Sequence, residues 1–380
     1  MLGTDSLLVA RLMDDLSLRN DMGEKRITYS EYLRLAELLE LQDGGVAGGR
    51  DISADELHFI IVHQSFELWF KLILNQLSEA RSLLSLEPVP ESHIPMIVHH
   101  LDRTTEIMTL MQNQWKVMET LTPQGFLAFR DELGTASGFE SFQMREMEIV
   151  LGLDNVQRPG GMDPLAHFEK LANESEQGKE AWNRLVAASN EESLAQVLTR
   201  WLARTPIHGS SPDDEGDEEV VRGFVEGHLS SMQSNNDEAI ERHLAMGTQG
   251  IEKVKERFSA SLAAAREYLL PEGQNCRHRA GLLFIESYRE LPLLAWPRTL
   301  IDSVVELEQQ LLLFRHHHVR MVERMIGRRV GTGGSSGVDY LDSTTKARIF
   351  TDLWQVRSIL VKRDSLKDVS DSDFYGFTSG

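Results

Sequence analysis

Apolar residues recur at spacings of three and four through nearly every long segment of the chain, and alternating runs bounded by turn residues are absent. That pattern predicts helices and no sheet, so the expected fold class is all-α. Ser53 with Glu56 has the form of a capping box ahead of "ADELHFIIVHQSFELWFKLILNQL". Thr122 followed by Pro123 has the form of an N-cap with proline at the first helical position. The stretch 206–220, "PIHGSSPDDEGDEEV", breaks the periodicity with Gly, Ser, Pro and acid and reads as a mobile surface loop. Its flanks, about 172–205 and 220–270, are helical but polar. The expectation is a single all-α domain over 1–380, with a polar helical excursion at 172–270 that contains the acidic loop 206–220.

Three polar residues fall on apolar faces. In "LLLFRHHHVRMVERMIG" successive helical residues point about 100° apart, so His316, His317 and His318 cannot share one metal ion. The stripe through Leu311, Phe314, Met321 and Met325 continues through His318 alone, which leaves His316 and His317 as surface residues. A single imidazole on such a stripe suits either a core histidine satisfied by a neighbour or an axial ligand to haem iron; a zinc site needs more converging ligands. On the segment "DELHFIIVHQSFELWFKL", Phe59, His63, Phe66 and Phe70 share one face, so His63 sits among aromatic rings. It suits a carbonyl-bonded core residue, or a neutral imidazole that accepts a substrate N–H or handles a proton. Phe126, Arg130 and Leu133 form a third face, where the arginine either snorkels or pairs with an internal acid, or waits for a substrate carboxylate. After the histidine helix comes "GTGGSSG", a flexible connector or a loop whose amides and Thr332 hydroxyl approach a ligand closely; it lacks the lysine of a phosphate loop.

Composition narrows the classes. Hydrophobic residues at 41% and charged residues at 26% of 380 suit a globular chain, and a net charge of −20 with no basic tract argues against a nucleic-acid partner. The single cysteine, Cys276, excludes an intramolecular disulfide and multi-cysteine metal sites and suits a reducing compartment, with the cytoplasm as the default. The N-terminal stretch reads poorly as a secretory signal, and no apolar run approaches the roughly 20 residues of a membrane helix.

An ordered series of segments carries a resemblance: "ITYSEYLRL" (27–35), "DELHFIIVHQSFELWFKL" (55–72), "QWKVMETLTPQGFLAFRDELGTASGFESFQMREMEIVLG" (114–152) and "FRHHHVRMVERMIGRRVGTGGSSG" (314–337). From about 27 to 360 the chain resembles the tryptophan 2,3-dioxygenase family of all-helical haem enzymes. The resemblance implies haem b held by His318 as axial ligand with Trp115 beside it, and O2 as co-substrate. It also implies that His63 binds the indole N–H, that Arg130 grips the substrate carboxylate, and that Thr332 binds the amino-acid end. Phe59, Phe126, Leu133 and Ser137 line the pocket, and Tyr29, Tyr32 and Leu33 from a neighbouring subunit complete it, which implies a homotetramer. The implied reaction inserts O2 across the indole C2–C3 bond of L-tryptophan, or a substituted tryptophan, to give N-formylkynurenine. The chain departs from the family pattern at Phe126, where a tyrosine is usual, at Phe66, where a small serine is usual, and in "GTASGFE", which replaces a more serine-rich form. Those departures motivate an alternative, a haem monooxygenase acting on a modified tryptophan in a natural-product pathway. A non-catalytic haem or tryptophan sensor would use the same residues for binding only, and a purely structural helical protein would bind no haem.

Overall fold

Side-chain caps set the helix starts that the sequence predicts. Ser53 Oγ accepts the Glu56 N–H and Thr122 Oγ1 accepts the Gly125 N–H, each satisfying a first-turn donor that lacks an intrahelical partner. The structure, a computed structural model, describes residues 27–45, 51–134, 138–158, 163–329, 337–370 and 373–376. Among them the regular structure is helical, with one isolated bridge between Ile207 and Ser210, so the chain is all-α as expected.

The α-helices run in order α1 (Tyr29–Leu33), α2 (Leu35–Leu38), α3 (Ala54–Leu84), α4 (Ile94–Met118), α5 (Pro123–Phe129), α6 (Phe142–Leu151), α7 (Pro164–Ala172) and α8 (Glu176–Ser189). They continue with α9 (Leu194–Leu202), α10 (Asp217–Ala245), α11 (Ile251–Leu269), α12 (Arg277–Ser287), α13 (Ala295–Ile326), α14 (Gly337–Thr344) and α15 (Thr351–Gln355). Helix α4 is the centre: it packs against α13 and α3, the two longest helices. Ile73 and Leu77 of α3, Leu101, Met108 and Met111 of α4, and Ile301 and Val304 of α13 are fully withdrawn from water. Full burial of each such side chain contributes about 1.5–3 kcal/mol, which makes this three-helix contact the scaffold on which the polar face residues are held.

By length and composition α3 does reach what a membrane-crossing helix requires, contrary to the sequence reading. Its Phe66, Phe70, Ile73 and Leu77 pack in the core, while Leu57, Ile61, Leu68 and Leu72 form an exposed stripe on the opposite side.

The polar excursion is only partly exposed. Helices α10 and α11 pack on each other and carry exposed Leu244 and Met246 near their connection. Leu194, Val197, Leu198 and Leu202 of α9, with Ile207, belong to the main core, as do Val221, Phe224, Val225 and Leu229 of α10 and Tyr268 and Leu269 of α11. The first part of 206–220 is therefore anchored, where the sequence suggested a loose loop. Tyr375 Oη donates to the Pro206 carbonyl and accepts the Gly209 N–H, and Asp217 pairs with Arg277. Those partners lie far away in sequence, so local composition concealed them. Helices α9 and α12 approach so closely that a Cβ on Gly281 would stand 2.3 Å from the Leu202 carbonyl oxygen.

Candidate active site

The aromatic face of α3 is built as its spacing requires. Phe59 and His63 are one turn apart with ring centroids at 4.0 Å, and His63 Nδ1 lies 2.8 Å from the Phe59 carbonyl oxygen. A carbonyl only accepts, so Nδ1 carries the proton and Nε2 of the neutral ring is left as an acceptor, with no partner among the described residues. Burial pushes the His63 pKa down, outweighing the bond to Phe59 and the nearby Glu67 carboxylate, so the ring is neutral at pH 7. Phe126 and Phe129 of α5 close over Phe59, at 5.8 and 5.6 Å between centroids. Where the sequence substitutes Phe126, the wall is thus wholly aromatic.

From His63 a continuous set of rings leads to His318. Phe66 lies 6.5 Å from His63 and 4.4 Å from Trp115, and Trp115 stacks on His318 at 4.8 Å with an interplanar angle of 5°. Phe314 packs beside Trp115 at 5.3 Å. His318 retains some accessible surface, yet burial, followed by His63 and Arg145, pushes its pKa down to about 4. Its imidazole is therefore neutral, and neither ring nitrogen has a hydrogen-bond partner among the described residues. His316 and His317 are exposed, as the stripe predicted.

A buried charge cluster adjoins these rings. Glu148 of α6 accepts from Arg145 Nη1 at 2.9 Å, from Arg158 Nη1, and from Arg315 Nη2 at 3.0 Å, so three guanidiniums meet one carboxylate. Burial alone would push the Glu148 carboxyl up; Arg145, Arg315 and Arg158 outweigh it and hold the pKa down at about 2. Three positive charges against one negative leave an excess of two, and Arg145 Nε, Arg158 Nη2 and Arg315 Nε are buried donors with no acceptor among the described residues. Trp115 Nε1 is a fourth such donor. Groups like these are costly unless an acceptor arrives, so the cluster suits an anionic ligand. Sequence reading missed Arg145, Glu148 and Arg315. The available signal was Glu148 on the buried face of α6 beside Met144, Met147 and Leu151.

The third face differs from its expectation. Helix α5 ends at Phe129, and Arg130–Leu133 form a 3₁₀ turn closed by Gly134 at φ 57°. The switch follows Phe129, whose φ of −118° and ψ of 0° leave the α-helical path. Arg130 with Leu127, Asp131 and Gly134 lines a recess of about 440 Å³, and Leu133 packs on the core. A larger recess, about 500 Å³, is lined by α8 residues alone and shares none of these groups. Tyr29, Tyr32 and Leu33 are 75%, 77% and 41% exposed on α1. Ser137 and Thr332 lie outside the described residues, as does nearly all of the "GTGGSSG" loop.

A neutral imidazole stacked on a tryptophan, a second neutral imidazole offering Nε2 and a surplus of buried guanidinium stand together in one aromatic region. The family model for tryptophan 2,3-dioxygenase matches residues 16–360. The chain belongs to the tryptophan 2,3-dioxygenase family. A protein of Sorangium cellulosum named tryptophan 2,3-dioxygenase is 41% identical, with 93% of this chain and 89% of that protein covered. A Ralstonia nicotianae protein named tryptophan 2,3-dioxygenase 2 is 40% identical over 93% of this chain and 98% of its own length. A more distant family member from Dictyostelium discoideum, also named tryptophan 2,3-dioxygenase, is 32% identical over 95% of this chain and 90% of its own.

Proposed function

We propose that this family member is a haem-dependent dioxygenase that adds both atoms of O2 across the indole C2–C3 bond of L-tryptophan, or of a substituted tryptophan, to give an N-formylkynurenine. The observation that carries the reading is the pair of neutral imidazoles, His63 and His318, joined by the Phe66–Trp115 ring contacts. The residues present fit haem b: His318 offers an uncharged nitrogen to iron, Phe66, Trp115 and Phe314 offer an apolar wall, and Arg145 offers an unsatisfied donor to a carboxylate. Haem bound there supplies the redox centre at which O2 becomes reactive toward the indole.

The remaining work falls to the chain's own side chains. His63 Nε2 accepts the indole N–H and fixes the ring's orientation, with Phe59 and Phe126 as walls. Arg130 takes the substrate carboxylate in a charge-assisted bond, with Leu133 beside it. Thr332 and Ser137 complete the amino-acid end. Such positioning turns an encounter into an effectively unimolecular reaction. Aromatic rings left in water on α1 and the exposed stripe Leu57, Ile61, Leu68 and Leu72 on α3 support assembly as a homotetramer in which Tyr29, Tyr32 and Leu33 cover a neighbour's pocket. A single cysteine and the absence of a basic tract fit a cytoplasmic enzyme of small molecules, with neither nucleic acid nor membrane as partner.

The relatives named above are all called tryptophan 2,3-dioxygenases, which lends no support to the one-oxygen or sensor readings. The test is aerobic incubation of reduced, haem-loaded protein with L-tryptophan. A ring-opened formylated product is expected, and full recovery of tryptophan overturns the proposal. In parallel, His318→Ala should lose stable haem; full haem stoichiometry in that variant removes His318 as the ligand.

A further inference from the structure

The buried charge cluster beside the aromatic region is unbalanced. Glu148 is the one carboxylate paired with Arg145, Arg158 and Arg315 among the described residues, and the four side chains are 3%, 11%, 5% and 5% exposed. Their other neighbours are neutral. Arg158 Nε donates to Asn155 Oδ1 at 3.0 Å, Arg315 Nη1 donates to the Thr344 carbonyl at 3.5 Å, and the Arg145 guanidinium lies 5.5 Å from the centre of the Phe139 ring. Arg145 Nε, Arg158 Nη2 and Arg315 Nε remain buried donors without an acceptor among the described residues, so hydrogen bonding does not offset the excess of two positive charges. Arg315 stands three positions before His318 on α13, which puts their Cβ atoms about 5–6 Å apart. Arg145 reaches the His318 ring electrostatically and disfavours positive charge on it. The excess therefore begins within one helical turn of the imidazole read as the haem ligand, in surroundings that water and salt screen weakly.

We propose that this fixed excess of positive charge raises the reduction potential of a haem iron held by His318, and so favours the ferrous state that O2 requires; the inference rests on the haem reading above. Oxidation of that iron removes one electron and leaves one more positive charge on the metal. Buried guanidiniums oppose the added charge. Arginine keeps its proton at pH 7, so the cluster cannot relieve the repulsion by releasing one. A haem carboxylate taken by Arg145 would still leave one positive charge in excess. That carboxylate is present in both oxidation states, so it alters the level of the effect and not its sense. Well-packed apolar residues of similar volume would be no costlier to bury than an ionic cluster, so fold stability alone does not account for three guanidiniums here. Arg158 is bonded to Glu148 and Asn155, and its influence on the iron is that of its charge.

The test is a redox titration of haem-loaded full-length protein at pH 7 without tryptophan, with one-electron mediators and the Soret band as the readout. Arg158→Gln lowers the excess to one and should shift the equilibrium toward ferric iron about 10-fold, or about 59 mV downward, the worth of a unit charge about 10 Å away at an effective dielectric of about 20. Glu148→Gln raises the excess to three and should shift it by a similar factor upward. Disturbed packing would move both variants the same way, whereas charge moves them apart. Arg158→Lys keeps the charge and should stay within about threefold of wild type. Shifts of the same sign in the two Gln variants overturn the proposal, as does an Arg158→Lys shift equal to that of Arg158→Gln. If Glu148→Gln does not hold haem, the Arg158→Gln and Arg158→Lys pair decides. One measurement needs no variant: between pH 6.5 and 8 the wild-type potential should change by well under one proton per electron. Glu148 is held at about 2, the Tyr340 phenol is pushed up by burial and His63 is pushed down by burial, so none of them titrates there. A full proton per electron would show that a titrating group and not fixed charge compensates the oxidation, and overturns the proposal. Wild type that takes up no haem overturns the haem reading and this inference together; wild type that loads haem, with unshifted variants, overturns this inference alone.

Discussion

Replacing Glu148 with glutamine tests whether the buried charge cluster holds the candidate active site together. Glu148 joins two residues of α6, itself and Arg145, to Arg158 and to Arg315, which lies three positions before His318 on α13. Its carboxyl is held at about 2 against an ordinary 4.5, and a displacement of that size corresponds to about 3 kcal/mol of folding free energy. The neutral amide of Glu148→Gln would keep a similar shape but leave three guanidiniums close together without a counter-charge. Removing one partner from a buried ionic group costs about 3–5 kcal/mol, so the variant should lose an amount in that range in urea denaturation at pH 7. The pH dependence supplies a second readout. Because the folded pKa is depressed, the contribution is complete above about pH 4.5 and disappears as the pH falls toward 2. Wild type should therefore lose about 3 kcal/mol across that interval more than the variant does. A loss below about 1 kcal/mol at pH 7, or identical acid profiles, would refute the reasoning.

Further outcomes follow from single contacts. Arg130→Leu should raise the KM for L-tryptophan by about 10- to 100-fold, the worth of one charge-assisted bond, and should lower kcat much less; an unchanged KM removes the carboxylate role. His63→Ala should lower kcat/KM about 10-fold for L-tryptophan and leave turnover of the N-methylated indole unaltered, because that analogue has no N–H for Nε2 to accept. Equal losses on both substrates would show that His63 does not bind the indole N–H. Gly281→Ala should destabilise the fold by about 1–3 kcal/mol in thermal melts, since its Cβ would meet the Leu202 carbonyl at 2.3 Å.

The two interior histidines were legible because each interrupts a helical stripe whose other members are apolar, and the packing obeys the same period. His318 could be picked from three neighbours for that reason alone. Arg130 was only half legible: a helical face was expected, but the chain tightens into a 3₁₀ turn after Phe129, a change that spacing does not encode. Glu148 and Arg315 were missed because they are separated by 167 residues, so their pairing exists only after α6 and α13 are packed. The same distance problem hid the anchoring of 206–211, where Tyr375 and Arg277 hold a segment whose composition resembles a free loop. Family resemblance supplied the roles of Ser137 and Thr332, and both lie outside the described residues.

The central claim is that both atoms of one O2 enter the product. The most direct measurement is the product mass after reduced, haem-loaded protein turns over L-tryptophan under isotopically labelled O2. The account predicts a ring-opened product carrying two labelled oxygen atoms. A product carrying one, or an intact indole ring bearing a single new oxygen, would contradict it.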